Sequence, residues 1–370
     1  MKRKLLMWLS ALAVLAAACA PAATPTAAPQ ATQAPQATTP ITLQLQWVAQ
    51  SQFAGYYAAV DQGFYAAEGL EVTIKEGAVD IVPQQVLASG QAEFAVSWAL
   101  VSREEGAKIV NIGQVFQRSG TLQVSWKDSG ITSVADWKGK KVGTWGFGNE
   151  FELLAALQQA GLNKDTDVTI VQQPFDMSLL LNREIDAAQA MTYNEYAQVL
   201  ETKNPATGEL YQPEDLVVID YNEVGTAMLQ DALWAREDWL QDAANQDVAV
   251  RFLRATFRGW IYCRDNFDAC VEIVLKNGPT LGKGHQAWQL NEINKLIWPS
   301  PAGIGVMDKA LWDQTIQVST AQAVLKAAPD AGAYRTDLAQ KAVDDLKAQG
   351  LDVTGAGFTP QTVQVTEGGN

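Results

Sequence analysis

The chain has 370 residues, with 41 acidic against 27 basic side chains, a formal net charge of −14, three cysteines and a single histidine. This balance argues against nucleic acid as a partner, because phosphate contacts need clustered Lys and Arg. One imidazole with no second cysteine pair argues against a zinc site, and the acidity is read as solubility rather than as recognition of a cation.

Met1-Lys2-Arg3-Lys4 runs into the apolar stretch Leu5 to Ala18, which closes on Cys19. Basic, apolar and small-residue regions in that order are those of a bacterial secretory signal. The stretch falls short of the about 20 apolar residues that a spanning helix needs. Ala16-Ala17-Ala18-Cys19 resembles the lipobox of bacterial lipoproteins, although Leu15 stands four rather than three residues before the cysteine. Residues 1–19 are therefore read as a lipoprotein signal ending in a lipidated Cys19, which would hold the protein at the outer face of the cell membrane. Residues 20–40 contain only Ala, Pro, Thr and Gln, carry no charge, and read as an extended tether.

Ile41 to Trp47 alternates apolar and polar residues, the period of a strand. Phe53, Tyr56, Tyr57 and Val60 give a helical stripe that stops at Gly63. Glu71 to Lys75 and Phe94 to Trp98 read as further strands, with a helix from Val82 to Leu87 between them. The same alternation returns in Lys141 to Trp145, Val168 to Gln172 and Ala187 to Met191, interleaved with helices at Glu150 to Gln159, Met177 to Asn182 and from Asn194. Strands alternating with helices imply an α/β fold with mostly parallel sheets. A second unit is thus inserted in a first, giving lobe 1 over 41–121 and 235–353 and lobe 2 over 127–227. The apolar runs at 122–126 and 228–234 are expected to be two crossover hinge strands. After Arg236 the chain reads as helical through Asp247 to Trp260, Phe267 to Leu275 and Gln286 to Ile297. Residues 354–370 are expected to form a poorly ordered tail. For Cys263 and Cys270 a local disulfide and two buried thiols both remain open.

Sheets of this kind bind ligands beyond the carboxyl ends of their strands. Aromatic and amide residues stand there: Trp47, Gln50, Gln52 and Phe53, with Tyr56 close behind, after the first strand; Trp98 after the third; Trp145-Gly146-Phe147-Gly148-Asn149-Glu150 in the inserted unit; and Tyr193-Asn194-Glu195 after its last strand. Rings facing one another across a closable cleft suit a flat aromatic ligand. Gly146-Phe147-Gly148 lacks the Lys-Ser/Thr of a phosphate loop and is followed at once by Glu150, so close backbone approach to a ligand, with free N–H groups, is the expected use. No cofactor motif and no Gly-x-Ser-x-Gly elbow accompany His285, and no histidine neighbours Cys263 or Cys270, so no catalytic set is expected.

Gln46-Trp47, Phe53-Ala54-Gly55-Tyr56-Tyr57-Ala58-Ala59, Gly63-Phe64-Tyr65 and Glu68-Gly69-Leu70-Glu71-Val72, extended by Trp137-Lys138-Gly139-Lys140-Lys141-Val142-Gly143 and Tyr193-Asn194-Glu195-Tyr196, resemble the substrate-binding family related to the thiamine pyrimidine synthases and their importers. The resemblance spans about 41–297 and implies the two-lobed type II periplasmic-binding-protein fold. It also implies a monomeric solute-binding protein that presents a small-molecule vitamin to an ABC transporter permease. Known ligands in that family include riboflavin, pyrimidine precursors of thiamine, and sulfonate-like anions. The sequence has Phe53-Ala54-Gly55 where many pyrimidine members have a histidine, and it lacks the Cys-rich motif of the eukaryotic synthases. With no Arg or Lys at the strand ends, a small anion is disfavoured, and riboflavin is the best match.

Overall fold

In a computed structural model of the protein, residues 38–370 are described apart from Val79, Ala99, Phe147 and Gly148. The expected signal, Cys19 and most of the tether lie outside the described residues. The strands among the described residues are β1 (Thr39–Gln44), β2 (Leu70–Lys75), β3 (Phe94–Ser97), β4 (Ile109–Gln114), β5 (Thr121–Trp126), β6 (Lys141–Thr144), β7 (Thr169–Gln172), β8 (Ala187–Met191), β9 (Leu216–Asp220) and β10 (Ala232–Arg236). The alternation read at the start of the chain becomes β1, which begins two residues earlier than Ile41 and buries Ile41 and Leu43 while Thr42 stays partly exposed.

The strands form two five-stranded sheets, ordered β2-β1-β3-β10-β4 and β7-β6-β8-β5-β9. In the first, β1 runs parallel to β2 and β3, whereas β10 is antiparallel to both its neighbours. In the second, β6 runs parallel to β7 and β8, and β5 is antiparallel to β8 and β9. The antiparallel strand of each sheet is the one that arrives from the other sheet. The expected crossover runs coincide with these strands: Leu122 to Trp126 lies in β5, and Ala232 to Trp234 open β10. The passages between the sheets immediately precede them, at 115–120 and 225–231. A strand buried on both faces and a crossing segment both read as a short apolar run, and only the pairing separates them. Gln230 ties the two crossings together, its Oε1 accepting from Gly120 N at 2.9 Å and its Nε2 donating to Ser119 Oγ at 3.0 Å and Thr121 Oγ1 at 2.6 Å.

The helices that frame the site are α1 (Ala54–Asp61), α2 (Pro83–Ala88), α3 (Phe151–Gln159), α4 (Glu195–Leu200), α5 (Ala243–Asp265), α6 (Phe267–Asn277), α7 (Lys283–Ile297), α8 (Lys309–Ala321) and α9 (Asp337–Ala348). α5 lies against α1 at a glycine crossing. A Cβ added to Gly259 would sit 2.0 Å from the Gly55 carbonyl oxygen, and one added to Gly55 would sit 2.2 Å from the Trp260 ring. Backbone cannot retreat as a side chain can, so Gly259→Ala is expected to destabilise the fold by about 1–3 kcal/mol. A urea midpoint equal to that of the wild type would show that this crossing is not close-packed.

Cys263, near the end of α5, is joined to Cys270 of α6 by a disulfide. The segment expected to be a loose tail is instead held along α7 and α4. Gln361 N donates to Asn291 Oδ1 at 2.8 Å, Gly368 N donates to the Glu201 carbonyl at 3.0 Å, and Glu367 pairs with Lys203 at 2.6 Å. Its Gly- and Thr-rich composition offers no apolar periodicity; these bonds hold it, and Phe358 and Val365 pack singly against the buried clusters.

Candidate functional site

Asp231, the last residue of the second crossing, is only 2% exposed and has φ of 26°. Three donors delivered by strand ends of the first lobe converge on its carboxylate. Gln46 Nε2, from just beyond β1, donates to Oδ1 at 2.6 Å; Gln52 Nε2, from the turn entering α1, donates to Oδ2 at 2.8 Å; and Trp98 Nε1, next after β3, donates to Oδ1 at 2.8 Å. Gln52 is braced in turn by Gln50 Nε2 at 2.6 Å, and Gln50 by Gln289 Nε2 of α7 at 3.1 Å. Burial raises the Asp231 carboxyl above its ordinary value, with the three donors opposing the rise. Burial and the Asp231 charge together push up the phenols of Tyr56 and Tyr193.

Rings from both lobes also meet. Trp47 of the first lobe lies 5.5 Å from Phe175, and Phe175 stacks on Trp145 at 6.3 Å with 21° between planes; both belong to the second lobe. Trp145 is 3% exposed, and its Nε1 is buried with no hydrogen-bond partner among the described residues, whereas Phe175 is 46% exposed. Trp145, Met191 and Tyr193 share one apolar cluster with Leu45, Phe53 and Tyr56 of the first lobe, so the lobes are in contact here. A polar clasp lies alongside: His285 of α7 bonds Glu201 at 2.8 Å and Asn194 at 2.9 Å, and Trp288 Nε1 donates to the Thr192 carbonyl at 3.0 Å.

Beside Trp98 opens a cavity of about 450 Å³, walled by Gln84 and Ser97 of the first lobe, Asn149 and Glu152 of the second, Met228 and Gln230 of the crossing, and Trp312 of α8. Its size lies within the range of about 300–1,000 Å³ that small-molecule sites occupy. Glu152 is buried in the first turn of α3 and accepts from Met228 N at 2.5 Å. Burial pushes its carboxyl up to about 7, against the Met228 N–H and the Thr121 and Ser119 hydroxyls, which favour the ionised form. A carboxyl protonated in the folded chain but ionised in the unfolded one lowers stability as the pH rises. The loss runs from the unfolded value near 4.5 to about 7 and then levels off. Glu152→Gln is expected to remove this slope, which amounts to about 3 kcal/mol. Urea midpoints of the two proteins at pH 5, 6, 7 and 8 check it; parallel curves would contradict it.

The expected site residues separate into groups. Trp47 and Trp145 meet across the lobe boundary through Phe175, Gln52 and Trp98 bond Asp231 of the crossing with Gln50 behind Gln52, and Asn149 lines the cavity. Phe53 and Tyr56 are fully buried, the latter packed edge-on against Trp260 of α5 at 5.7 Å, in the cluster that reaches Trp145 of the second lobe. Tyr193 is buried edge-on against Phe116 at 6.3 Å. Glu195 caps its own turn, accepting from Met191 N at 2.9 Å and Asn194 Nδ2 at 2.7 Å, and burial raises its carboxyl. Gly146 does not present a free N–H: it donates to Thr144 Oγ1 at 3.3 Å, and its carbonyl is taken by Asn149. Gly146 and Glu150 border a separate groove with Lys164 and Gln172 on the second lobe. Phe147 and Gly148 lie outside the described residues. Asp231, Phe175 and Glu152 were not read from sequence. Phe175 follows β7 closely and obeys the strand-end rule; Asp231 was signalled only by two polar residues breaking the run at 228–234.

Comparison with known proteins places this geometry. The family model described as NMT1/THI5 like matches residues 50–269. The chain is 27% identical over 305 residues to the riboflavin-binding protein RibY of Chloroflexus aurantiacus, covering 78% of this chain and 83% of that one. It is 22% identical over 246 residues to the formylaminopyrimidine-binding protein of Halalkalibacterium halodurans, covering 65% and 72%. Weaker relatives are named as pyrimidine phosphate synthases. The periplasmic aliphatic sulphonate binding protein SsuA from Escherichia coli superposes with a TM-score of 0.56 at 16% identity, over 88% of this chain and 94% of its own. That likeness establishes the two-lobed α/β fold expected from the sequence.

Proposed function

The chain belongs to the NMT1/THI5 like family, and we propose from this that it is the solute-binding component of an ABC-type importer, holding a flat heteroaromatic vitamin, riboflavin foremost, between its lobes. The observation that carries the reading is the meeting of Trp47, Phe175 and Trp145 across the lobe boundary, together with a buried carboxylate that orders three first-lobe side chains. Offset or tilted rings at such spacings add about 0.5–1.5 kcal/mol per pair beyond burial, and a flat ligand entering between them would replace ring–ring contacts with ring–ligand contacts. The buried Nε1 of Trp145 supplies a donor for a ring nitrogen or carbonyl. Anchoring through a lipidated Cys19 belongs to the same proposal and is tested by the mass of the mature N-terminal peptide.

Titration of the purified chain with riboflavin, followed by tryptophan fluorescence, tests the reading. Quenching that saturates at one ligand per chain supports it. No quenching at micromolar riboflavin would remove that ligand. The second reading, a pyrimidine precursor, is supported by the relative named for formylaminopyrimidine and is tested by calorimetry with that compound. Multiple-turnover product from a bound pyrimidine would overturn the binding role in favour of an enzyme.

A further inference from the structure

Resting on the riboflavin reading, we propose that the cavity beside Trp98 receives the ligand's neutral hydroxyl-bearing tail and rejects the phosphate ester of the same ligand, with Glu152 as the specificity-determining residue. Trp98 links this cavity to the ring site, since it lines the one and donates to Asp231 in the other. Asn149 does so from the second lobe: it lines the cavity, and its carbonyl accepts from Gln189 Nε2 at 2.5 Å, while Gln189 Oε1 accepts from Trp145 N at 3.1 Å. Trp98 and Asn149 thus tie the cavity to Asp231 and to the Trp145 backbone, and on this reading the substituent of a ligand whose ring lies by Trp145 enters the cavity.

The chemistry of that wall is neutral or negative. Amides and hydroxyls supply the uncharged polar surface, through Gln84, Ser97, Asn111 and Gln230, and the charged residues lining the cavity are two carboxylates, Glu105 and Glu152. No Lys, Arg or His lines it among the described residues. Phosphate recognition needs cationic forks or a helix N-terminus free of negative charge. Of the helix starts that line the cavity, that of α2 opens on Pro83, which has no N–H to offer, and that of α3 carries Glu152 in its first turn. Glu152 is fixed there by the Met228 N–H, so it cannot swing away to admit an anion. A polyol meets no such penalty, because hydroxyls donate to carboxylates and accept from amides.

The test compares riboflavin with its 5′-phosphate by fluorescence titration at pH 8, in the wild type, Glu152→Gln and Glu105→Gln. The wild type is expected to bind the phosphate ester roughly a hundredfold more weakly, the scale of one like-charge contact in a partly screened cavity. Glu152→Gln should narrow the ratio about tenfold or more. Should Glu152→Gln fail to fold, a smaller narrowing in Glu105→Gln, at the exposed rim, serves instead. Equal affinity of the wild type for both compounds, or a ratio unchanged in both variants, overturns the proposal and leaves the riboflavin reading standing. Absence of riboflavin binding in the wild type overturns both.

Discussion

Asp231→Ala is expected to lower ligand affinity at least a hundredfold and to cost several kcal/mol of stability. The substitution removes the acceptor shared by Gln46, Gln52 and Trp98. Each donor left buried without a partner costs about 1–3 kcal/mol, and Gln52 and Trp98 lose the bonds that hold them at the lobe boundary. Asp231→Asn separates the two contributions. Asparagine tolerates the positive φ of 26°, yet its amide offers one acceptor oxygen and sets N–H against N–H at one of the three contacts. An intermediate affinity with near-normal stability is therefore expected for Asp231→Asn. Calorimetric titration beside thermal melts reads both quantities; wild-type affinity in Asp231→Ala would show that the centre is structural only.

The second large effect is at Trp145. Truncation to alanine empties a nearly buried site that stacks on Phe175 and packs with first-lobe residues. A loss of about 3–5 kcal/mol follows from the deleted ring, so Trp145→Ala should abolish measurable capture. Trp145→Phe keeps a ring face and deletes the unpartnered Nε1 donor. It is expected to retain the fold and lose about tenfold in affinity, the value of one hydrogen bond. If Trp145→Phe binds as the wild type does, the indole nitrogen has no part in recognition.

These residues were unequally legible. Trp47, Trp98 and Trp145 were reached because they end strands whose alternation is local, and alternation is a property of neighbouring residues. The centre they surround was not, because the bond between Gln52 and Asp231 spans 179 residues and exists only once both crossings are placed. Phe53 and Tyr56 are ambiguous for the opposite reason: a helical stripe has one apolar face, and sequence does not say whether that face meets a ligand or a helix such as α5. Among the elements, β4 went unread because Asn111 and Gly113 interrupt its apolar run, although all six of its residues are buried. Helices α8 and α9 lie beyond the residues covered by the family model, and α8 turns out to wall the cavity through Trp312.

The disposition of the two lobes also bears on release. The His285 clasp and the Trp288 bond tie α7 to the second lobe on one side of the cleft, while Gln230 fixes the crossings on the other. Opening the cleft would break the first set and spare the second, as expected if motion is confined to the mouth.

A crystal structure of the chain grown with riboflavin tests the central claim most directly. The account predicts the tricyclic ring between Trp47 and Trp145, displacing Phe175, with the side chain running past Trp98 into the cavity bounded by Glu152. A ring bound elsewhere on the surface, or a cleft left with Trp47, Phe175 and Trp145 still in mutual contact at saturating ligand, would contradict it.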